Sequence, residues 1–89
     1  LQGGTTALVV RDVKQETVRE WLPPLRDFTV CDWAPGGTRV LLFGFDGMHR
    51  LGLHVFDLET GNTVAVRTSG PVSDGAWSAT GDIVYSSGE

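Results

Sequence analysis

Two arginines, two aspartates and a histidine stand close together in two short stretches, Arg26-Asp27 and Asp46 to Arg50, the latter holding His49. Phe45 and Met48 supply apolar surface beside them. Forked guanidinium donors, carboxylate acceptors and an imidazole form a set suited to holding a ligand or a protein partner through charge and hydrogen bonds. Arg26, Asp27, Asp46, His49 and Arg50 are therefore the candidate binding residues. No catalytic set is legible. Cys31 has no nearby histidine in a nucleophile arrangement, and Ser73, Ser78, Ser86 and Ser87 lack the G-x-S-x-G context. His49 and His54 lie five apart, one in a loop and one in a predicted strand, and no Cys, His or carboxylate spacing suits a metal. Gly36-Gly37 belongs to a tight turn, and no Walker or dinucleotide glycine pattern occurs. The expectation is a non-catalytic chain with no metal and no cofactor.

The elements that would position these residues follow from an internal repeat. Leu8-Val9-Val10-Arg11-Asp12-Val13 is echoed by Leu53-His54-Val55-Phe56-Asp57-Leu58, and Trp33-Ala34-Pro35-Gly36-Gly37-Thr38-Arg39-Val40 by Trp77-Ser78-Ala79-Thr80-Gly81-Asp82-Ile83-Val84. The offset is 45 from Asp12 to Asp57 and 44 from Trp33 to Trp77. A period of about 40–45 residues made of short strands indicates propeller blades. Carried outward, the offsets set Leu1 against Asp46 and Glu89 against Phe45, adjacent positions of one loop. The chain then reads as half a blade, a whole blade and half a blade: residues 1–22 give the third and fourth strands of one blade, 26–67 a complete blade, and 71–89 the first two strands of the next.

Periodicity supplies the strands. Thr6–Arg11, Thr17–Trp21, Phe28–Trp33, Arg39–Gly44, Leu51–Phe56, Thr63–Arg67, Val72–Trp77 and Asp82–Ser86 read as strands between Gly/Pro punctuation. Arg39–Gly44 is almost wholly apolar, as expected of a strand covered on both faces. Thr17, Arg19 and Trp21 fall on one face of their strand, Val18 and Glu20 on the other. The two prolines of Leu22–Asp27 exclude that stretch from a ladder and make it a loop. No segment has a helical period. The expected class is all-β, with blades of four antiparallel strands and two blades' worth per chain. The exposed edge of the second strand in the C-terminal half-blade is the natural partner of the third-strand edge in the N-terminal one. Head-to-tail pairing between copies would close a 6- or 8-bladed ring from a homotrimer or homotetramer.

The repeat resembles that of TolB-type and WD40-like propellers. The resemblance rests on Trp33-Ala34-Pro35-Gly36-Gly37, a strand, then Leu53-His54-Val55-Phe56-Asp57-Leu58-Glu59-Thr60-Gly61. The second hairpin, Trp77-Ser78-Ala79-Thr80-Gly81, keeps Trp, Ser and Gly but lacks Pro and Asp. The turn Asp12-Val13-Lys14-Gln15-Glu16 keeps Asp and lacks Gly. The resemblance implies a propeller whose loops between fourth and first strands, and between second and third, share one face around the central channel. Here those loops are Leu22–Asp27 and Phe45–Arg50, and they hold the five candidate residues, with the uncharged loop Thr68–Ser73 as a further member. Proteins of this kind dock other proteins, bind carbohydrates or small ligands, or gate serine peptidases, so the fold leaves function open. Trp33 and Trp77 are expected to pack between blades, and exposed tryptophans would favour a carbohydrate-binding reading. Asp12 and Asp57 are expected to close Asx turns.

Composition narrows the partners. Seven basic and eleven acidic side chains give a net charge of −4, which argues against nucleic acid. The longest apolar run, Val40-Leu41-Leu42-Phe43, is far shorter than a membrane span. Cys31 is the single cysteine, so no disulfide forms within the chain, and nothing specifies a compartment. The chain opens with neither a signal-peptide pattern nor an initiator methionine and reads as a fragment or a processed piece. A lone pair of blades buries little core, because blades bury their faces against neighbours. The expected function is a scaffold or interaction module whose first partner is itself and whose further partner is another protein. The alternatives are a ligand- or carbohydrate-binding propeller and a fragment of a peptidase-gating or TolB-like one.

Overall fold

Short runs of alternating or continuous apolar residues, separated by turn residues, become eight strands: β1 (Leu8–Asp12), β2 (Thr17–Trp21), β3 (Arg26–Trp33), β4 (Arg39–Phe45), β5 (Leu51–Asp57), β6 (Thr63–Ala65), β7 (Val72–Trp77) and β8 (Ile83–Ser87). This computed structural model describes residues 6–68 and 70–87. The correspondences expected at Leu1 and Glu89, and Ser69 within the loop 68–73, lie outside the described residues. The class is all-β, with no helix among the described residues. Every pairing is antiparallel, and neighbours in sequence are neighbours in the sheet: β1-β2, then β3-β4-β5-β6, then β7-β8.

The four-stranded sheet is the centre of the molecule, and the hairpins cover its two faces. Residues directly opposite in an antiparallel pair point to the same side. Val40 pairs with Phe56, Leu42 with His54 and Gly44 with Gly52, which places them on one face. There Leu8, Val10 and Trp21 of the first hairpin join Phe28, Val40, Leu42, Phe56 and Leu58 in one apolar cluster. The Trp21 ring meets Phe56 edge-on, with centroids 6.5 Å apart. Leu41, Phe43, Leu53 and Val55 form the opposite face. β7 lies over it so closely that a Cβ at Gly75 would come within 3.0 Å of Leu53. The apolar reading of β4 holds, since Val40, Leu41 and Leu42 are 0% exposed. Gly44 lets the inner strand approach, because a Cβ there would stand 2.6 Å from that of Phe28.

The turns explain the repeated aspartates. Asp12 Oδ1 accepts from the backbone N–H groups of Lys14 and Gln15, and Asp57 Oδ1 from those of Glu59 and Thr60. Both are the Asx turns expected from sequence. Gly61 follows with φ 78°, and Glu16 fills the equivalent place with φ 57°, a left-handed conformation that a non-glycine residue adopts at some cost.

Several boundaries differ from the sequence reading. β3 begins at Arg26 rather than Phe28, so Arg26 and Asp27 belong to the strand, with register shifts where Asp27 turns through φ 50° and again around Cys31. β6 stops at Ala65 rather than Arg67. The repeat also slips by one residue in the last hairpin. Trp33 pairs with Val40, but Trp77 pairs with Ile83, because the second turn is one residue shorter. Ile83 and Tyr85, not Val84 and Ser86, therefore point toward the central sheet, and the latter two are exposed. Trp33 was expected to pack between blades but is 43% exposed. It lies on the face covered by the first hairpin, which brings no strand to its position. Trp77 is half-buried, with the Arg39 guanidinium 5.3 Å from its ring centroid.

Candidate functional site

Asp46 begins the β4–β5 turn and spends its carboxylate there. Its Oδ1 accepts from the backbone N–H of Met48 at 2.8 Å and of Arg50 at 3.0 Å, while Oδ2 lies 3.4 Å from Nε of Arg50. These backbone donors, that of Arg50 first, hold the Asp46 carboxyl below its ordinary range. The Arg50 side chain is 74% exposed, so the ion pair adds little to stability. Asp46 and Arg50 thus form a self-contained Asx turn. His49, at φ 62°, completes its tight backbone by donating its N–H to the Asp46 carbonyl.

The other candidates meet at the neighbouring strand end. Arg26 pairs in register with Phe45, and Arg26, Asp27, Phe45 and His49 line a shallow depression of about 230 Å³. Two of these four residues, Asp27 and His49, have left-handed backbone, which aspartate and histidine tolerate better than most residues. The structure therefore divides the five candidates. Arg26, Asp27 and His49 share a wall, while Asp46 and Arg50 bind one another within the turn that carries His49.

Beneath this end lies a histidine to which the sequence reading gave no role. His54 is 5% exposed and donates to the Gly44 backbone. Burial pushes its imidazole below the ordinary range, against the opposing pull of the Asp46 charge. The Cys31 thiol is raised by burial and by the Asp74 carboxylate across the sheet interface. A raised thiol is a poor nucleophile. No group of three or more His, Cys, Asp or Glu suited to a metal occurs among the described residues.

The larger concavity lies at the other end of the strands. A groove of about 580 Å³ runs between the central sheet and the β7–β8 hairpin, walled by Val55 and Val64 on one side and Trp77 and Ile83 on the other. Arg39, Asp57 and Asp82 stand at its rim. Asp32 pins the two walls at the inner strand. Its Oδ1 accepts from the Trp33 N–H and its Oδ2 from the Trp77 N–H, both at 2.9 Å. Sequence reasoning missed this group, although a charged residue inside the inner strand Arg26–Trp33 breaks the apolar pattern and marks a polar contact. The indole N–H of Trp77 is buried without a hydrogen-bond partner among the described residues.

Comparison with protein-family models, curated proteins and solved structures gave no match.

Proposed function

We propose that this chain is a two-blade unit of a β-propeller and serves as a non-catalytic scaffold, assembling head to tail with copies of itself and offering the loop end around Arg26, Asp27, His49 and Phe45 to a protein partner. The observation that carries the reading is the pair of incomplete covers on the central sheet. One face is covered by a two-stranded hairpin that contributes Leu8, Val10 and Trp21, the other by a hairpin whose strand β7 lies across β3, β4 and β5. The first matches the third and fourth strands of the central sheet, the second its first and second. β1 and β8 each present an edge without a strand partner among the described residues. Unpaired edges recruit strands, and these two are partners by the internal repeat. Rings of about six or eight blades would hold three or four copies.

Light scattering of the 89-residue chain after size exclusion tests this. A single species of three or four copies is expected, and removal of Val72–Glu89 should abolish it. A monomer at micromolar concentration overturns self-assembly.

A second reading is favoured by one observation, the 43% exposure of Trp33. An exposed indole can stack on a sugar ring, which is the ligand-binding alternative. Titration of free sugars with indole fluorescence as the readout discriminates the two. Scaffold assembly covers Trp33 and leaves no sugar response.

A further inference from the structure

We propose that the groove between the central sheet and the β7–β8 hairpin is the seat of the β1–β2 hairpin of a second copy, with β1 of that copy pairing with β8 in one defined register. This deepens the self-assembly reading above and rests on it.

The chain contains its own template for the contact. On the covered face of the central sheet, β5 brings Phe56 against Trp21, beside the β1 residues Leu8 and Val10. The positions equivalent to Leu8, Val10 and Trp21 in the central sheet are Leu53, Val55 and Val66. In both hairpins the matching pairs face each other: Leu8 with Trp21 and Val10 with Arg19, then Val55 with Val64. Val55 and Val64 line the groove, and Val64 is exposed. They lack the strand that Phe56 represents on the other side. β8 ends the last sheet without a third strand among the described residues, and a strand added beyond it would fill the groove.

The corrected register of the last hairpin fixes which residues meet. Val40 pairs with Phe56 in the central sheet, and Ile83 stands in the place of Val40. Asp57 corresponds to Asp12, so Phe56 corresponds to Arg11. Ile83 then faces Arg11 of the second copy, Val84 faces Val10 and Tyr85 faces Val9. Arg11 and Val9 of the second copy point into the groove, together with Val18 on the neighbouring strand β2.

Three independent features agree with this docking. Val9 and Val18 are 55% and 57% exposed, large apolar residues on the outer face of a hairpin that has buried its inner one. Arg11 brings a cation to a groove that carries Asp57 at its rim. The same docking also covers Val30 and Trp33 of the second copy, because β7–β8 of the first copy supplies the inner strands missing from that face; both residues are exposed in the single chain. One mismatch sharpens the test. The central sheet sets Arg39 opposite Asp57, whereas the docked pair sets Asp82 opposite Asp12 of the second copy. Like charges directly opposite weaken a strand pair.

The experiment places cysteines at matched positions in a Cys31→Ser chain. Val10→Cys combined with Val84→Cys puts the two thiols on directly opposed residues, within the roughly 4.4–6.8 Å Cα separation that a disulfide needs. Within one chain the central sheet lies between the two positions, so oxidation joins only different copies. A covalent ladder of dimers and higher species on non-reducing gels is expected. Val10→Cys with Tyr85→Cys, displaced by one residue onto the opposite face, should give none. Assembly by light scattering without the matched cross-link, or with equal cross-linking of both pairs, overturns this register and leaves self-assembly standing. A monomer overturns both. In the chain that keeps Val10 and Val84, Asp82→Arg restores the cross-strand charge pair and should tighten assembly about three- to tenfold. Unchanged or weaker assembly in that variant counts against the docking.

Discussion

On one face of the central sheet the β1–β2 hairpin lays Leu8, Val10 and Trp21 over Val40, Leu42 and Phe56. On the other, the β7–β8 hairpin lays Gly75 over Leu41 and Leu53. The first contact interleaves large side chains and closes a continuous apolar cluster. The second brings backbone down onto two leucines and leaves a groove of about 580 Å³ over Val55 and Val64. Both faces come from the same strands and the same alternation, so the difference lies in the hairpin that each one receives. It teaches that the pattern along a strand specifies that a face must be covered, while the partner decides how completely.

The largest effect that should separate the faces is truncation of their central leucines. Leu41 and Leu42 are both 0% exposed, and Leu→Ala at such sites costs about 2–5 kcal/mol, depending on how far the surroundings collapse. Leu42→Ala opens a void in the closed cluster and should fall near the top of that range in urea unfolding. Leu41→Ala lies beneath the Gly75 backbone, on the face that receives backbone rather than large side chains, and should fall near the bottom. Equal losses would show that the two faces are equally closed.

A smaller effect separates two glycines that face each other on the same side. Gly44→Ala drives a methyl group to 2.6 Å from the Phe28 Cβ, whereas a methyl at Gly52 meets nothing within 4 Å. Overpacking of this kind costs roughly 1–3 kcal/mol. Thermal unfolding should show that loss for Gly44→Ala and none for Gly52→Ala.

The smallest effect is the response of the Leu42 face to acid. His54 sits opposite Leu42, and burial depresses its imidazole from the ordinary value of 6.5. The unfolded chain therefore takes up this proton first, so the stability contribution is full above pH 6.5 and declines as pH falls below it. Asp46, held below its ordinary 3.8, adds a separate decline at more acidic pH. His54→Phe should flatten the first decline and leave the second in place, as read by urea midpoints from pH 7 to pH 3.

Much of this was legible in the residues. Alternation and turn residues located the eight strands found among the described residues, and the doubled Asp12 and Asp57 announced matching Asx turns. What escaped was whatever depended on counting across a turn. Arg26 and Asp27 follow two prolines and read as loop, yet Arg26 reaches Phe45 across the ladder because Asp27 takes φ 50°. Ser78–Asp82 is one residue shorter than Ala34–Arg39, and a single deletion reverses which side chains of β8 face inward. The candidate cluster was partly legible for a related reason. Charge and position marked the Phe45–Arg50 turn, but nothing in the sequence showed that Asp46 would commit one oxygen to that turn's own backbone and turn the other toward Arg50. The groove at the opposite end could not be read at all, since it arises between sheets.

The Asp32 carboxylate behaves like the stitching in the spine of a book. One oxygen is bound to the Trp33 amide and the other to the Trp77 amide, so successive sheets are joined at their inner strands while their outer margins remain free to fan. The opening angle between these two pages then depends on what is laid between those margins.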